Sequence, residues 1–159
     1  MPKFSVIEIV LMREALKQAK IALEKDEVPI GAVITLDNKV IAKAYNQVEM
    51  LKDPTAHAEM IAITQATSYL SSKWLEKCFL YVTIEPCSMC VGALVLSRIK
   101  KVYYGARDPK AGACGSVFDI GRSSQLNHQI DMRPGLLEEE CAQMVSDFFK
   151  QKRVRNKIT

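Results

Sequence analysis

The chain has 159 residues, of which 48% are hydrophobic and 25% are charged, and this composition is that of a globular protein. The length suits a single domain with a real core, and we expect one domain over residues 1–159. Five cysteines are an odd number, which excludes a complete set of internal disulfides. No segment approaches the ~18 apolar residues of a membrane span, and charges interrupt the N-terminal segment. We therefore expect a soluble, cytoplasmic protein that has no contact with a membrane.

The net charge of +4 comes entirely from the C-terminal tail, which we place at about residues 150–159. The whole chain has 22 Lys and Arg residues against 18 Asp and Glu residues. The tail contains no acidic residue and five basic ones: Lys150, Lys152, Arg153, Arg155 and Lys157. Without these five, 17 basic residues face 18 acidic ones. Such a tail is typical of an arm that contacts a polyanion, although charge alone fits a solubilising end equally well.

Helix and strand signals alternate along the chain. In order, they predict a helix over about 4–24, strands over 29–36 and 39–45, a loop over 46–54, a helix over 56–69, a strand over 78–85, a helix over 86–96, a strand over 100–106, a glycine-rich loop over 105–116, a weaker strand over 127–132 and a final helix over 137–150. Thr55 is the expected cap of the second helix, and Pro86 is the expected first residue of the third. A hairpin followed by alternating helices and strands indicates an α/β sandwich around a central sheet.

His57, Cys87 and Cys90 are the residues best suited to bind a metal. Cysteines three residues apart lie on one face of a helix, and a helix start stabilises their thiolates. His57 also falls in the first turn of its predicted helix, so the two helix starts can meet at one end of the sheet. One imidazole and two thiolates form a good zinc-binding set.

The number of ligands favours a catalytic zinc over a structural one, because structural zinc normally takes four protein ligands. Neither His128 nor the isolated cysteines have the spacing of a fourth ligand, and small buried hydrophobes are the favoured interpretation of Cys78, Cys114 and Cys141. Zinc lowers the pKa of a bound water towards ~7, and a nearby carboxylate must then move protons. Glu59 is the candidate for that carboxylate.

Each of these residues also has an ordinary explanation. The CxxC sequence could be a redox pair, His57 could be a capping or core histidine, and Glu59 could be a favourable first-turn acid. These explanations do not account for the combination of HAE at 57–59 with PCSMC at 86–90. That combination matches the His-x-Glu and Pro-Cys-x-x-Cys signature of zinc-dependent nucleobase deaminases.

Over nearly its whole length the sequence resembles the bacterial tRNA adenosine deaminases of the cytidine and deoxycytidylate deaminase superfamily. The segments that carry the resemblance are EVPIGAV (27–33), DPTAHAE (53–59), LYVTIEPCSMCVGA (80–93), GARDPKAGACGS (105–116) and ECAQMVSDFF (140–149). The zinc motifs alone would also fit cytosine, guanine or riboflavin-pathway deaminases. The resemblance implies a cytidine-deaminase-like, three-layer α/β/α sandwich with a central mixed five-stranded sheet.

The activity that the resemblance implies is the hydrolytic conversion of the wobble adenosine in a tRNA anticodon loop to inosine, with release of ammonia. It implies one zinc ion per subunit, held by His57, Cys87 and Cys90. Glu59 would take a proton from the zinc-bound water, pass it to the ring nitrogen and help protonate the leaving amine.

The resemblance also implies contacts with the tRNA anticodon stem-loop. Asn46 matches the asparagine that binds the flipped base, and Asp108 matches a loop residue near the neighbouring nucleotide. Phe149 lies where the family grips the anticodon loop, and the expected phosphate contacts are Lys150, Lys152 and Arg153. The family forms homodimers in which both subunits shape the RNA site. One departure from the family is QVEMLK (47–52), in which Gln47 replaces a frequent arginine.

Two alternatives remain open at the level of the sequence. A free-base or nucleoside deaminase would act on small substrates without RNA and would have no use for the basic tail. A non-catalytic zinc and RNA-binding module would either have a fourth protein ligand on the metal or lack the carboxylate that Glu59 provides.

Overall fold

The computed structural model describes residues 3–158, so residues 1, 2 and 159 of the predicted domain lie outside the described part of the chain. Its elements are α1 (Val6–Glu24), β1 (Gly31–Leu36), β2 (Lys39–Tyr45), α2 (Val48–Leu51), α3 (Ala58–Leu70), β3 (Cys78–Ile84), α4 (Ser88–Leu96), β4 (Lys101–Ala106), β5 (Asp131–Pro134) and α5 (Glu138–Ile158). The predicted order of helices and strands is confirmed, with α2 as an addition. No helix within residues 3–158 combines the length and the apolarity that a membrane crossing needs.

The five strands form one mixed sheet in the order β2-β1-β3-β4-β5. β1 pairs antiparallel with both β2 and β3, whereas β3, β4 and β5 run parallel to one another. These directions bring the start of β1, the end of β2 and the C-terminal ends of β3 and β4 to one edge of the sheet. We call it the upper edge, and it is marked by Gly31, Tyr45, Ile84 and Ala106. The loops that follow β2, β3 and β4 therefore lie close together.

Helices cover both faces of the sheet, which confirms the predicted α/β/α sandwich. Alternate residues of β3 face opposite sides: Leu80 and Val82 pack in the core beneath α3 and α4, and Tyr81 packs in the core beneath α1 and α5. Because the strand is buried on both sides, it reads as an almost continuous apolar run in the sequence.

Gly31 allows α1 to lie directly against the backbone of β1. A Cβ atom at this position would overlap the backbone of Ala15 and Ala19 in α1. Both alanines are fully buried, so small side chains on the helix meet a strand residue that has none. This close approach fixes the segment before β1 at the upper edge.

Two predicted helix starts were wrong, the cap of one helix and the first residue of another. The N-cap of α3 is His57 rather than Thr55, whose hydroxyl donates instead to the carboxylate of Asp53 at 2.7 Å. The N-cap of α4 is Cys87, and Pro86 precedes it rather than opening the helix. Both differences move a predicted metal ligand to the extended residue at which the helix begins.

Three other boundaries differ from the predictions. The segment 46–54, predicted as a loop, contains the single turn of α2. β5 lies at Asp131–Pro134, beyond most of the predicted 127–132, because the N–H of Ile130 donates to the carbonyl of Gly121 at 2.7 Å and pairing with β4 begins only at Asp131. α5 continues from the predicted end at 150 to Ile158. The basic tail is therefore helical. Acidic residues in the first turn of α5 and basic residues in its last turn both interact favourably with the helix dipole.

Candidate active site

The three predicted metal ligands come together at the upper edge. His57 and Cys87 are the N-caps of α3 and α4, and neither side chain caps its own helix, which leaves both available to a ligand. Cys90 is buried one turn further along α4. The Sγ atoms of Cys87 and Cys90 each lie 3.5 Å from Nδ1 of His57.

The dimensions of this group fit zinc. Its three ligand atoms all lie within 4.8 Å of one another. Zinc–sulfur bonds of about 2.3 Å and zinc–nitrogen bonds of about 2.0–2.1 Å in a tetrahedron place sulfur and nitrogen roughly 3.6 Å apart. The observed 3.5 Å agrees with that spacing. Among the described residues the group has three members, so a tetrahedral ion would keep one open position.

The two thiols and the imidazole are hydrogen-bonded to one another. The bond from Cys90, followed by the one from His57, lowers the pKa of Cys87 to about 4. The bond to Cys87, together with burial, raises the pKa of Cys90. The bond to Cys87 also raises the pKa of His57. The cluster therefore gives up its first thiol proton easily, and binding of a metal would displace the second.

Glu59 lies beside this cluster as the second residue of α3. It is only 3% exposed, and its carboxyl group is hydrogen-bonded to the thiol of Cys90. Burial raises the pKa of this carboxyl group. A carboxyl group held next to a metal site and shielded from water is placed to exchange protons with a bound molecule.

A cavity of about 230 Å³ opens over His57 and Glu59. This volume corresponds to about eight water molecules at ~30 Å³ each, which is enough room for a small ring system. We call this space the base cavity. Its remaining walls come from the segment before β1, the segment after β2 and helix α5, through residues that include Val28, Ile30, Asn46, Val48, Phe148 and Lys152.

Asn46 forms part of the wall of the base cavity and is nearly buried. Its Nδ2 donates to the carbonyl of Val28 at 3.3 Å, and its Oδ1 accepts the N–H of Val48 at 3.3 Å. An amide has a second N–H and a second lone pair, so Asn46 has one further donor and one further acceptor beyond these two bonds.

Glu27 holds α2 against the base cavity and was missed by the sequence analysis. It is 1% exposed, and its carboxylate accepts the N–H groups of Glu49 at 2.9 Å and Met50 at 2.7 Å. It thereby caps α2 from a distant part of the chain, since the N-cap residue Gln47 makes no side-chain cap. The available signal was an acidic residue directly before an apolar strand, although the adjacent Asp26 and nearby Glu24 make it look like part of an ordinary charged turn.

A second depression, of about 670 Å³, adjoins the base cavity, and we call it the groove. Val28 and Ile30 line both spaces. Three of the predicted RNA-contacting residues line the groove together: Asp108, Phe149 and Arg153. The other two basic residues are separated, because Lys152 lines the base cavity and Lys150 lines neither space.

The fold and this site have counterparts among known proteins. The family model described as MafB19-like deaminase matches residues 8–153. The chain is 52% identical over 147 residues to a tRNA-specific adenosine deaminase of Aquifex aeolicus, covering 92% of this chain and 95% of the relative. It is 48% identical over 146 residues to that of Bacillus subtilis, covering 92% and 91%. The chain belongs to the tRNA-specific adenosine deaminase family.

A solved structure agrees with this assignment. It comes from work on A-to-I editing by tRNA:A34 deaminases at the wobble position of transfer RNA. It is 44% identical to this chain, superposes with a TM-score of 0.82, and matches 85% of this chain and 98% of its own. The predicted family and the predicted cytidine-deaminase-like fold are thus both confirmed.

Proposed function

We propose that this deaminase hydrolyses the wobble adenosine in a tRNA anticodon loop to inosine and releases ammonia. The observation that carries the proposal is the buried carboxylate of Glu59, which lies beside a group of three candidate metal ligands and lines a cavity of about 230 Å³. The named activity of the relatives supports tRNA as the substrate.

His57, Cys87 and Cys90 would hold one zinc ion per subunit, and mixed imidazole and thiolate ligation suits that metal. When bound, zinc lowers the pKa of a water at its open position towards ~7 and so supplies the attacking oxygen. Glu59 would accept one proton of the attacking water and deliver it to the ring nitrogen, and would then pass the second proton of that water to the departing amine. The oxygen would add to the carbon that carries the amino group, the C–N bond would break with release of ammonia, and the oxygen would remain as the carbonyl of inosine.

The target base must leave its stack to reach Glu59, because this carboxyl group is only 3% exposed. Unpaired nucleotides in an anticodon loop flip at little cost compared with paired ones. Asn46 offers its spare donor and acceptor to the flipped base. Asp108 and Phe149 line the groove in which a neighbouring nucleotide would lie, and Arg153 offers it a phosphate contact.

Lys152 and Lys150 complete the set of phosphate contacts that we propose. Lys152 lines the base cavity, where the phosphate of the flipped nucleotide would pass. Lys150 is exposed on α5 and lines neither space, so its attraction for RNA would be less direct. With tRNA as the substrate, we propose a cytoplasmic location for the enzyme.

A homodimer is also part of the proposal. Helix α4 has no charged residue, and Leu96 near its end is 78% exposed. Leu96 lies with Ile63 and Ala93 in a shallow depression between α3 and α4. An exposed apolar surface of this kind suits a contact with a second subunit. Sedimentation of the wild-type protein and of Leu96→Glu tests this, since the substitution should yield monomers.

Incubation with total tRNA, followed by sequencing for adenosine-to-inosine change, tests the proposed activity directly. The same enzyme is assayed in parallel with adenosine, guanine and cytosine as free substrates, and Glu59→Gln controls for contaminating activity. We expect inosine at the wobble position of one or more tRNAs and no turnover of the free compounds. Conversion of a free compound without any change in tRNA would favour the small-substrate alternative.

A further inference from the structure

Glu85 is a buried carboxylate whose hydrogen bonds all come from one loop. It follows β3, directly precedes Pro86 and is 1% exposed. It accepts the hydroxyl of Ser116 at 2.5 Å and three backbone N–H groups, those of Asp108 at 3.1 Å, Cys114 at 2.9 Å and Ser116 at 3.1 Å. A buried charge is costly unless hydrogen bonds replace those it made with water. The loop supplies these bonds, so it stabilises the buried carboxylate and is held in place by it.

The same loop, residues 107–116, is also bonded to the start of α4. The N–H of Ala113 donates to the carbonyl of Pro86 at 2.9 Å, and Cys87 forms an antiparallel bridge with Gly112. Gly112 has no room for a Cβ atom, because the Glu85 carboxylate occupies that space. The loop and the helix start that carries both cysteine ligands therefore form one hydrogen-bonded unit.

The loop supplies one wall of the groove. Residues 107–110 line the groove, and Oδ1 of Asp108 accepts the N–H groups of Lys110 at 3.0 Å and Ala111 at 3.2 Å. These bonds make residues 108–111 a tight turn, which we call the Asp108 turn. Because the N–H of Asp108 is bonded to Glu85, the position of the turn relative to the metal ligands depends on that carboxylate.

We propose that Glu85 is a positioning residue for the deamination. It holds the Asp108 turn at a fixed distance from His57, Cys87 and Cys90, so that RNA seated in the groove presents its flipped base to Glu59. This inference rests on the proposed tRNA deaminase function. Glu85 itself touches neither the base cavity nor the groove, since neither is lined by it.

The test compares Glu85→Gln and Ser116→Ala with the wild type on an anticodon stem-loop. Glutamine keeps the shape of the side chain but places an NH₂ group against N–H donors, whereas Ser116→Ala removes only the hydroxyl bond. Ser97→Ala is the matched control, because Ser97 is a buried serine whose hydroxyl bonds within the end of α4. KM, kcat, zinc content and the hydrogen exchange of amides 107–116 are measured for each variant.

Glu85→Gln should raise KM by about tenfold or more, and Ser116→Ala by a smaller factor, while zinc content per folded chain stays constant. Exchange of amides 107–116 should become faster in both, and Ser97→Ala should match the wild type. A purely structural role would instead lower the active fraction and the apparent kcat at constant KM, and this result would overturn the inference.

Two further outcomes are decisive. If Glu85→Gln does not fold, Ser116→Ala carries the test, and an unchanged KM together with unchanged exchange in that variant would refute the inference. If the wild type forms no inosine in any RNA, the proposed function fails. The amide exchange of residues 107–116 in the substrate-free variants then still tells whether Glu85 anchors the loop.

Discussion

The Sγ atom of Cys87 lies 3.5 Å from Nδ1 of His57, although the two residues are 30 positions apart in the chain. Each is the N-cap of its own helix, so a metal bound between them would link the starts of α3 and α4. A ligand that binds only the folded state stabilises that state by RT ln(1 + [L]/Kd), so the free energy of unfolding rises with the logarithm of the affinity. Metal binding should therefore be visible both in composition and in thermal stability.

Removing a ligand should abolish stoichiometric zinc binding. We expect His57→Ala and Cys90→Ser to lose zinc during dialysis, because two remaining ligands cannot complete a site of this type. The measurements are metal content per chain and the change in Tm on adding a chelator. Cys78→Ser is the matched control, since Cys78 is also buried but lies at the start of β3, at the opposite edge of the sheet. Full zinc retention in both ligand variants would rule out this metal site.

Glu59→Gln should retain zinc and RNA binding but lose inosine formation. The carboxylate is not one of the three ligands, and its removal leaves the metal group intact. Loss of general acid–base catalysis typically costs about 10²–10⁴ in rate, so single-turnover inosine formation should fall by at least ~10². Glu49→Gln is a control on the same cavity, because its side chain is exposed and pairs with Lys52 at 3.8 Å. Wild-type deamination by Glu59→Gln would exclude the proposed proton transfer.

Removing the charge of Lys152 should weaken RNA binding more than removing that of Lys150. Lys152 lines the base cavity, whereas Lys150 lines neither the base cavity nor the groove. The expected signature of Lys152→Ala is lower affinity for all RNA sequences and a salt slope reduced by about 1. Titrations of stem-loop binding at several salt concentrations provide the measurement, with Lys150→Ala as the control.

Deleting residues 150–159 is a less specific experiment on the same question. The deletion should also weaken RNA binding and flatten its salt dependence. It removes the last two turns of α5 as well, together with the ion pair between Arg155 and Asp26 at 2.9 Å. If neither the deletion nor Lys152→Ala changes affinity or salt slope, the tail is only a solubilising end.

Most of the fold could be predicted because its signals are local. The alternation of helical and strand patterns identified five strands and four of the five helices, and the buried strand β3 is a nearly unbroken apolar run. The spacing of Cys87 and Cys90 and the position of His57 at a helix start also depend on neighbouring residues. These features required no knowledge of the tertiary structure.

The features that could not be predicted depend on contacts between distant segments. Helix α2 is a single turn that follows β2, whereas Glu27, the residue that caps it, precedes β1 in the chain. Glu85 bonds a loop that follows the next strand along the chain, although an acidic residue at the end of an apolar strand was a usable signal. The last turns of α5 carry many charges, so their sequence predicted a tail. The ion pair between Arg155 and Asp26 joins segments that are far apart in the chain, and a local hydropathy pattern cannot reveal it.

The capping box at the start of α1 provides a test of stability against pH. Glu8 accepts the N–H of Ser5 at 2.6 Å, while the hydroxyl of Ser5 accepts the N–H of Glu8 at 3.2 Å. Burial raises the pKa of Glu8, but hydrogen bonds from Tyr103 and Ser5 outweigh it, and the pKa lies below its ordinary value of 4.5. The ionised carboxylate is therefore favoured in the folded protein.

Because the pKa is lowered on folding, Glu8 stabilises the protein fully above pH 4.5, and this contribution disappears as the pH falls through the folded-state pKa. We expect Glu8→Gln to lower the free energy of unfolding by about 0.3–1 kcal/mol at pH 7 and low ionic strength, because glutamine keeps the capping bond but not the charge near the helix N-terminus. The difference from the wild type should vanish as the pH falls through the folded-state pKa of Glu8. Urea denaturation of both proteins between pH 3 and 7 measures the difference. Glu24→Gln makes the same change at the other end of α1, where the helix dipole disfavours an acid, and should not reduce stability. A deficit of Glu8→Gln that is equal at every pH would mean that packing, rather than charge, accounts for the role of Glu8.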